Sequence, residues 1–347
     1  MKTELLRVDE KSDEILEKAA QLIRNGELVA FPTETVYGLG ANAYDAKACL
    51  DVFKAKGRPA DNPLIVHISD PSDAEKIAYT SELYYKLAEK FMPGALTVIM
   101  PKRDVIPSEV TAGLDSVAVR CPINKIANKL IKLSNVPIAA PSANRSGKPS
   151  PTIASHVYDD MNGIIPMILD GGNCDVGVES TVIKIENDSI ILLRPGAITC
   201  DMLRDVCENV SISGAVTEEL KEGEKPLSPG MKYKHYAPTA QLYLVDDSNV
   251  DFASLVRKKA ENEICAIMCY DEEIEQLADL KLLPVGKKSD VDEQTKRLFM
   301  LLRKADDMKV TTIYAHLPSK EGKSLALYNR MIRACAHRVI GGTNGEI

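Results

Sequence analysis

The chain has 347 residues, which is the length of about two ordinary domains. Its composition, with 45% apolar and 27% charged residues, is that of a globular protein and excludes a chain that is disordered throughout. The net charge of −7 disfavours wholesale binding to a nucleic-acid backbone, although it is compatible with a local basic pocket for a small anion.

Targeting signals and thiol chemistry both favour a cytoplasmic protein. The N-terminal residues are charged throughout and no apolar run reaches about 18 residues, so we predict neither a signal peptide nor a membrane-spanning helix. The eight cysteines contain no Cys-x-x-Cys pair, and together with the five histidines they lack the clustering of a zinc site. We expect most of the cysteines, including Cys265 and Cys269, to be small buried apolar residues.

The part of the chain up to residue 210 mixes helix and strand signals. Apolar positions at helical spacing predict helices over 12–25, 45–54 and 81–91. Short apolar runs predict buried strands at 27–33, 63–69, 95–101, 116–122, 136–142, 163–172, 180–186 and 189–196. Many short strands with few long helices predict an α/β domain, 1–210, built on a twisted mixed sheet with helices packed on it.

The remaining sequence divides into a linker and a second domain. Residues 211–238 are rich in Gly, Pro, Lys and Glu and have weak periodicity, which is typical of a linker. Beyond it, strands are predicted at 240–246, 263–270, 280–286 and 310–318, and helices at 251–262, 292–308 and 324–340. This alternation predicts a Rossmann-like parallel α/β domain over 239–347.

Common nucleotide and hydrolase motifs are absent from the sequence. The tripeptide GKS at 322–324 has the context of a P-loop, but Leu317 stands where that loop needs a glycine to wrap the phosphates. No Gly-x-Gly-x-x-Gly follows the early strands, and no Gly-x-Ser-x-Gly elbow is present. Dinucleotide binding and serine hydrolysis are therefore disfavoured.

Two pairs of polar residues with one residue between them are candidates for anion binding. In an extended chain, Lys56 and Arg58 would point to the same side and could clamp a phosphate or carboxylate, or they could be solvated surface cations. Ser142 and Asn144 have the same spacing and could donate hydrogen bonds to an anion, or they could simply form a turn.

Three further candidates follow apolar strands. His67 could bind a ligand or be a hydrogen-bonded core histidine. Arg120 and Arg194 stand where buried strands emerge, and could bind anions or form structural ion pairs.

In combination, these motifs are far more specific. PTETVYGLG (32–40), KGRP-x-x-x-PL-x-x-H (56–67), PSAN-x-SG (141–147), ESTV (179–182) and RPG (194–196) resemble the YrdC family in order and spacing. The linker sequence SPGMKYKHYAP and the Rossmann-like domain that follows resemble the long form of that family. The resemblance covers essentially the whole chain.

This resemblance implies a nucleotidyltransferase. Long-form members make threonylcarbamoyl-AMP from L-threonine, bicarbonate and ATP with release of pyrophosphate, which begins threonylcarbamoyladenosine modification beside the tRNA anticodon. We therefore expect Mg²⁺ with the ATP, a downstream threonylcarbamoyl transferase complex as partner, at most a weak contact with tRNA, and no membrane association.

The family motifs also imply the site residues. The hallmark catalytic residues are Lys56, Arg58, Ser142 and Asn144. The threonine pocket is formed by Thr35, with Thr33 as the alternative, and by His67, Arg120, the backbone of Ala140, and Ser180. ATP is bound by Arg58, Asn62, Ser116, Ser142, Ser150 and Arg194. Apart from the motifs, a carbamate is labile in water, so the site should close, and we expect the linker residues Tyr233, Lys234 and His235 to close over the ATP, with Tyr233 and His235 among its ligands.

Three alternatives are weaker. A carbamoyltransferase of the kind found in a related hydrogenase maturation factor would bring an acylphosphatase module and zinc-finger cysteines, which this sequence lacks. An RNA-binding module is disfavoured because residues 1–210 carry 23 Lys and Arg against 29 Asp and Glu. A catalytic C-terminal domain would need Gly-rich phosphate loops, so we expect that domain to regulate or dock.

Overall fold

The computed structural model describes residues 2–216, 236–248 and 250–341. These residues form two compact units. The first contains the described residues up to Ser146 and from Ser150 to Val216; the second contains Gly147–Pro149 and the described residues from Tyr236 onward. The predicted linker, 211–238, lies largely outside the described residues, so the predicted domain boundaries stay predictions.

The first unit contains eleven strands and seven α-helices among its described residues. The strands are β1 (Glu4–Arg7), β2 (Val29–Phe31), β3 (Gly38–Asn42), β4 (Ile65–His67), β5 (Leu96–Pro101), β6 (Ser116–Arg120), β7 (Ile138–Ala140), β8 (Met167–Asp170), β9 (Thr181–Glu186), β10 (Ser189–Arg194) and β11 (Val210–Ile212). The helices are α1 (Asp13–Arg24), α2 (Ala46–Lys56), α3 (Glu82–Phe91), α4 (Ser108–Thr111), α5 (Lys125–Ser134), α6 (Ala154–Met161) and α7 (Cys200–Arg204).

The strands form one mixed sheet in the order β1-β8-β2-β3-β7-β4-β6-β5-β9-β10-β11. Parallel pairs, such as β4 with β6 and β5 with β9, alternate with antiparallel ones, such as β5 with β6. The predicted mixed α/β sheet is therefore confirmed, and the three predicted helices are α1, α2 and α3.

Helices cover this sheet through apolar stripes. α1 buries Leu16, Ala19 and Ile23 against a core to which α5 contributes Ala127 and Leu130. Burial of each leucine or isoleucine side chain stabilises the fold by roughly 1.5–3 kcal/mol.

Two elements near the site were missed by the sequence analysis for identifiable reasons. β3 begins GLG, and glycines are poor strand formers. A Cβ on Gly40 would lie 2.8 Å from both Phe31 and Ile138, so close packing of neighbouring side chains requires glycine there. α5 was not predicted, yet Asn124 caps it by accepting from the backbone N–H groups of Ile126 and Ala127.

The second unit is a parallel α/β domain, as predicted. Its strands are β12 (Gln241–Val245), β13 (Cys265–Met268), β14 (Thr312–His316) and β15 (Val339–Ile340), in the order β13-β14-β12-β15, and every pair is parallel. Its helices among the described residues are α8 (Phe252–Ala260), α9 (Val291–Asp307) and α10 (Ser324–Ala334).

Two predictions for this unit were wrong. Residues 280–286 form no strand; they make a single bridge, Leu282 with Ile267, although Leu283 and Val285 donate their backbone N–H groups to the carbonyls of Ile267 and Cys269. The helix predicted over 324–340 ends at Ala334, since Ala336 and His337 take positive φ angles of 50° and 60°, and the chain then enters β15.

The burial of most of the cysteines agrees with the prediction. All eight cysteines are free, and six are buried while Cys200 and Cys207 are partly exposed. No helix in the described part of the chain is long and apolar enough to span a membrane.

Candidate active site

The register of the central strands gathers four polar side chains into one row. Arg194 pairs with Val182, Val182 with Thr97, Thr97 with Arg120, and Arg120 with His67. Residues directly opposite each other on neighbouring strands project to the same face of a sheet. Three of the predicted site residues, from distant parts of the sequence, therefore share one face of the sheet, and Thr97 joins them.

His67 is a neutral hydrogen-bond acceptor within this row. Its Nδ1 lies 3.1 Å from the carbonyl of Ile65 and 3.3 Å from that of Ile138. Because carbonyl oxygens only accept, Nδ1 must carry the proton, and Nε2 is left with a lone pair. Burial, and secondarily the positive charge of Arg120, lowers the pKa of His67 to about 3. His67 can thus accept a hydrogen bond from a ligand throughout the physiological pH range.

Arg120 forms a buried ion pair that the sequence analysis did not anticipate. Its Nη2 lies 2.6 Å from Oε1 of Glu34, and both side chains are almost completely buried. Glu34 stands between Thr33 and Thr35, just after the buried strand β2, and that position was the signal that could have identified it.

The two threonines of this loop have different roles. Thr33 and Thr35, the two alternatives for the threonine pocket, lie in the bend between β2 and β3. Their hydroxyl oxygens are 2.9 Å apart, and Thr33 Oγ1 donates to the carbonyl of Val36 at 2.6 Å. Because Thr33 donates its only hydroxyl proton to Val36, Thr35 must be the donor in the bond between the two hydroxyls. The Thr35 oxygen can still accept a hydrogen bond. This favours Thr35 as the ligand-binding threonine.

Ser180 and Arg194 belong to one cluster, although they were predicted to serve different substrates. Ser180 Oγ lies 2.7 Å from Oγ1 of Thr97. Arg194 donates from Nε to the carbonyl of Ser180 at 3.0 Å and from Nη2 to its hydroxyl at 3.2 Å. The cluster places a hydroxyl pair beside a permanent cation, which is an arrangement suited to anionic groups.

The two hallmark pairs also meet, but not in the predicted geometry. Lys56 is the last residue of α2 and Gly57 has a φ of 65°, so the chain is not extended there and the prediction that Lys56 and Arg58 point to one side was wrong. Lys56 Nζ donates to the carbonyl oxygens of Ser142, at 2.5 Å, and Asn144, at 2.7 Å. Ser142 Oγ donates to Oδ1 of Asn144 at 2.5 Å. Lys56 therefore braces the loop that carries Ser142 and Asn144.

Arg58 and Asn62 form the neighbouring part of the site. Arg58 Nη2 donates to the carbonyl of Asn62 at 3.1 Å, and its guanidinium lies 5.2 Å from the ring centre of Phe53. Both side-chain atoms of the Asn62 amide are buried without a hydrogen-bond partner in the described structure. Burial of an amide without hydrogen bonds costs free energy. An unpaired amide of this kind is expected where a ligand forms hydrogen bonds with it.

The remaining predicted residues are placed as follows. Ser150 is fully buried and donates to Oε1 of Glu179 at 2.5 Å, so Glu179 is a further residue of this region that was not predicted. Ala140 is buried in β7, and Ser116 is the partly buried first residue of β6. Tyr233, Lys234 and His235 lie outside the described residues.

Metal binding by the protein itself finds little basis in the described ranges. No group of three or more His, Cys, Asp or Glu side chains there is arranged to hold a metal ion.

The mixed sheet with arginines, a neutral histidine and a lysine-braced Ser-x-Asn loop forms a site whose chemistry suits small anionic ligands. A family model described as "Telomere recombination", for the Sua5, YciO and YrdC proteins, matches residues 21–196. A second one, described as "Threonylcarbamoyl-AMP synthase, C-terminal domain", matches residues 198–336. The chain belongs to the Sua5/YciO/YrdC family, in its long form.

Relatives resemble the chain over nearly its full length. A threonylcarbamoyl-AMP synthase of Bacillus subtilis is 42% identical and covers 95% of both chains. One of Pyrococcus abyssi is 44% identical over 93% of this chain and 94% of its own. The crystal structure of Sua5 from P. abyssi complexed with L-threonine has a TM-score of 0.87 at 42% identity and covers 98% of both chains. These similarities confirm the predicted family and fold.

Proposed function

We propose that the protein synthesises L-threonylcarbamoyl-AMP from L-threonine, bicarbonate and ATP, with release of pyrophosphate. Relatives that are 42% and 44% identical over more than nine-tenths of the chain carry the name of this synthase, which makes the chain an enzyme of the nucleotidyltransferase type. L-Threonine as the substrate is supported by the related P. abyssi structure that holds it.

The observation that carries the proposal is the row of Arg194, Thr97, Arg120 and His67. Threonine contributes a carboxylate, bicarbonate a second anion, and ATP a triphosphate. Bringing these groups together requires cations that cannot lose their charge, and guanidinium groups meet that condition. The neutral His67 adds an acceptor without adding repulsion to an incoming ammonium group.

The chemistry needs no protein nucleophile. After its ammonium group has lost a proton, the amine of threonine attacks the carbon of bicarbonate with loss of water, or that of CO₂ with loss of a second proton, to give a carbamate. A carbamate oxygen then displaces pyrophosphate at the α-phosphorus of ATP. Catalysis consists of positioning the reactants and stabilising negative charge. We assign the threonine to Thr35, His67, Arg120, Ala140 and Ser180, and the nucleotide to Arg58, Asn62, Ser116, Ser142, Ser150 and Arg194.

We further propose that Mg²⁺ enters bound to ATP. Magnesium usually keeps several waters and takes its other oxygens from phosphates, so a dedicated protein cage is not required. When bound, it neutralises charge on the phosphates during pyrophosphate release. Lys56 holds the Ser142–Asn144 loop in place for the same phosphates.

The product is a mixed anhydride, so its consumer must transfer an acyl group. We propose that a threonylcarbamoyl transferase complex moves the group to the adenosine beside the tRNA anticodon. The net negative charge of residues 1–210 supports delivery of a small molecule with at most a weak contact with tRNA.

The test measures pyrophosphate release from ATP and Mg²⁺, with bicarbonate and L-threonine added separately and together. We expect release only with both, and threonylcarbamoyl-AMP in the mass spectrum. Arg120→Ala should abolish it, whereas Arg103→Ala, which removes an arginine stacked on Tyr79, should not. Release that ignores threonine would refute the proposal.

A further inference from the structure

The ion pair between Arg120 and Glu34 is incomplete in one specific respect. Oε1 of Glu34 accepts from Arg120 Nη2 at 2.6 Å. Oε2 of the same carboxylate is buried and has no hydrogen-bond partner among the residues that the structure describes. The side chain of Glu34 is only 6% exposed, so water does not readily reach this oxygen.

Such an arrangement is a poor device for stability. Removing two charges from water costs several kcal/mol per ion, and the pair repays this only when the remaining lone pairs are also satisfied. A buried acceptor without a donor adds a further penalty. The feature is nevertheless held firmly, because the backbone carbonyl of Glu34 accepts from Val176 N at 2.8 Å and that of Thr35 accepts from Gly177 N at 3.2 Å.

We propose that Oε2 of Glu34 binds the α-ammonium group of the amino-acid substrate, while Arg120 binds its carboxylate. This inference rests on the proposed function. A zwitterionic α-amino acid carries its opposite charges on adjacent groups, and the buried Arg120–Glu34 pair presents opposite charges in contact. The ammonium supplies the N–H donor that Oε2 lacks, so ligand and pair satisfy each other.

One member of the pair borders a cavity. Glu34 lies on the wall of a cavity of about 820 Å³ whose other lining residues include the exposed Lys11 and Lys125. The exposed side chains show that the cavity opens to solvent. Arg120 is not among its lining residues, and Oε2 is buried, so binding of an amino acid at Oε2 requires local side-chain movement.

The assignment also separates substrate from product. The nitrogen of threonine is positively charged on entry, but it is neutral once it belongs to a carbamate. Glu34 attracts the former and has no charge attraction for the latter. The same carboxylate thus selects the free amino acid and favours release of the carbamoylated one.

A thermodynamic cycle tests this inference. The two ligands are L-threonine and 3-hydroxybutanoate, which is threonine without its amino group; the variants are Glu34→Gln and, as a control on the same cavity wall, Glu10→Gln. Affinity is measured by calorimetry, and for the weaker ligand by inhibition of pyrophosphate release. E34Q should lower the affinity for threonine about 10- to 100-fold and change the affinity for 3-hydroxybutanoate less than about twofold. E10Q should change neither affinity.

Two results would overturn the inference. If E34Q weakens both ligands equally, Glu34 serves only to hold Arg120. If E34Q leaves threonine affinity unchanged, Glu34 does not bind it at all. If E34Q fails to fold, Glu34→Asp replaces it as the variant, because Asp keeps the charge but its shorter side chain moves the carboxylate oxygens away from the ligand. This variant should still lower the affinity for threonine more than the affinity for 3-hydroxybutanoate. Failure of the unmodified protein to bind threonine would refute the proposed function instead.

Discussion

Lys56 Nζ lies 2.7 Å from the backbone carbonyl of Asn144, a residue 88 positions later in the sequence. It lies 2.5 Å from the carbonyl of Ser142 as well, and its side chain is buried. The lysine of one hallmark pair is thus joined to the backbone of the other.

This contact predicts that Lys56→Met loses both stability and activity. Buried carbonyls that lose a charged donor cost about 1–3 kcal/mol, and pyrophosphate release should fall because Ser142 and Asn144 lose their support. Lys56→Arg should not restore activity, since a planar guanidinium does not fit the space of an ammonium. Thermal unfolding and the pyrophosphate assay check this. The exposed Lys54, changed to Met, is the control and should shift stability by at most about 0.5 kcal/mol.

Substitution of Asn62 should weaken ATP binding without lowering stability. Replacing it by Leu removes two buried polar atoms that have no partner, so stability should stay the same or rise by about 1 kcal/mol. ATP affinity should fall at least about tenfold if the amide contacts the nucleotide. Urea unfolding and nucleotide titration give the two numbers. A destabilised variant with normal ATP binding would contradict this assignment.

His67 should make the fold sensitive to acid. Its pKa is lowered to about 3 in the folded protein and returns to about 6.5 on unfolding, so the unfolded state binds the extra proton between these values. Stability should therefore fall as the pH falls through this window, by up to about 1.4 kcal/mol per pH unit. Urea titrations of the protein and of His67→Gln at pH 4.5, 5.5 and 7.5 test this. Parallel curves would show that His67 does not contribute.

His316 in the second unit should behave in the opposite sense. Burial alone would lower its pKa, but hydrogen bonds with Asp247, at 2.7 Å, and Glu273, at 2.9 Å, outweigh burial and raise it. Its contribution is complete below about pH 6.5 and is lost as the pH rises through the folded pKa. The stability difference between the protein and His316→Gln should shrink from pH 6 to pH 9. A difference that grows over this range would contradict the prediction.

The fold was largely predictable because runs of apolar residues in the sequence indicate buried strands. The runs at 95–101 and 116–122 became β5 and β6, and the one at 63–69 contains β4. The run at 280–286 was predicted as a strand because Leu283 and Val285 are buried, but it lies beside β13 with a single bridge, Leu282 with Ile267, and burial alone does not distinguish the two cases.

The site was predictable only in part, since motifs name residues but not their partners. Arg120 was predicted, but nothing in its own motif indicates that Glu34 would pair with it across 86 residues. The geometry of Lys56 depended on where α2 ends, and Gly57 is the residue that ends it. Thr97 lies within an apolar strand sequence, and a single polar residue in such a sequence does not by itself indicate a functional residue.

The row from His67 to Arg194 crosses five neighbouring strands drawn from more than a third of the chain. Contacts between such distant segments form late in folding, because long loops must close first. If the substrates bind this row, as we propose, a nascent chain should gain affinity for them only when the last of these strands, β10, is in place. A ligand that binds the row will in turn stabilise the whole sheet by mass action, so its occupancy reports completed folding.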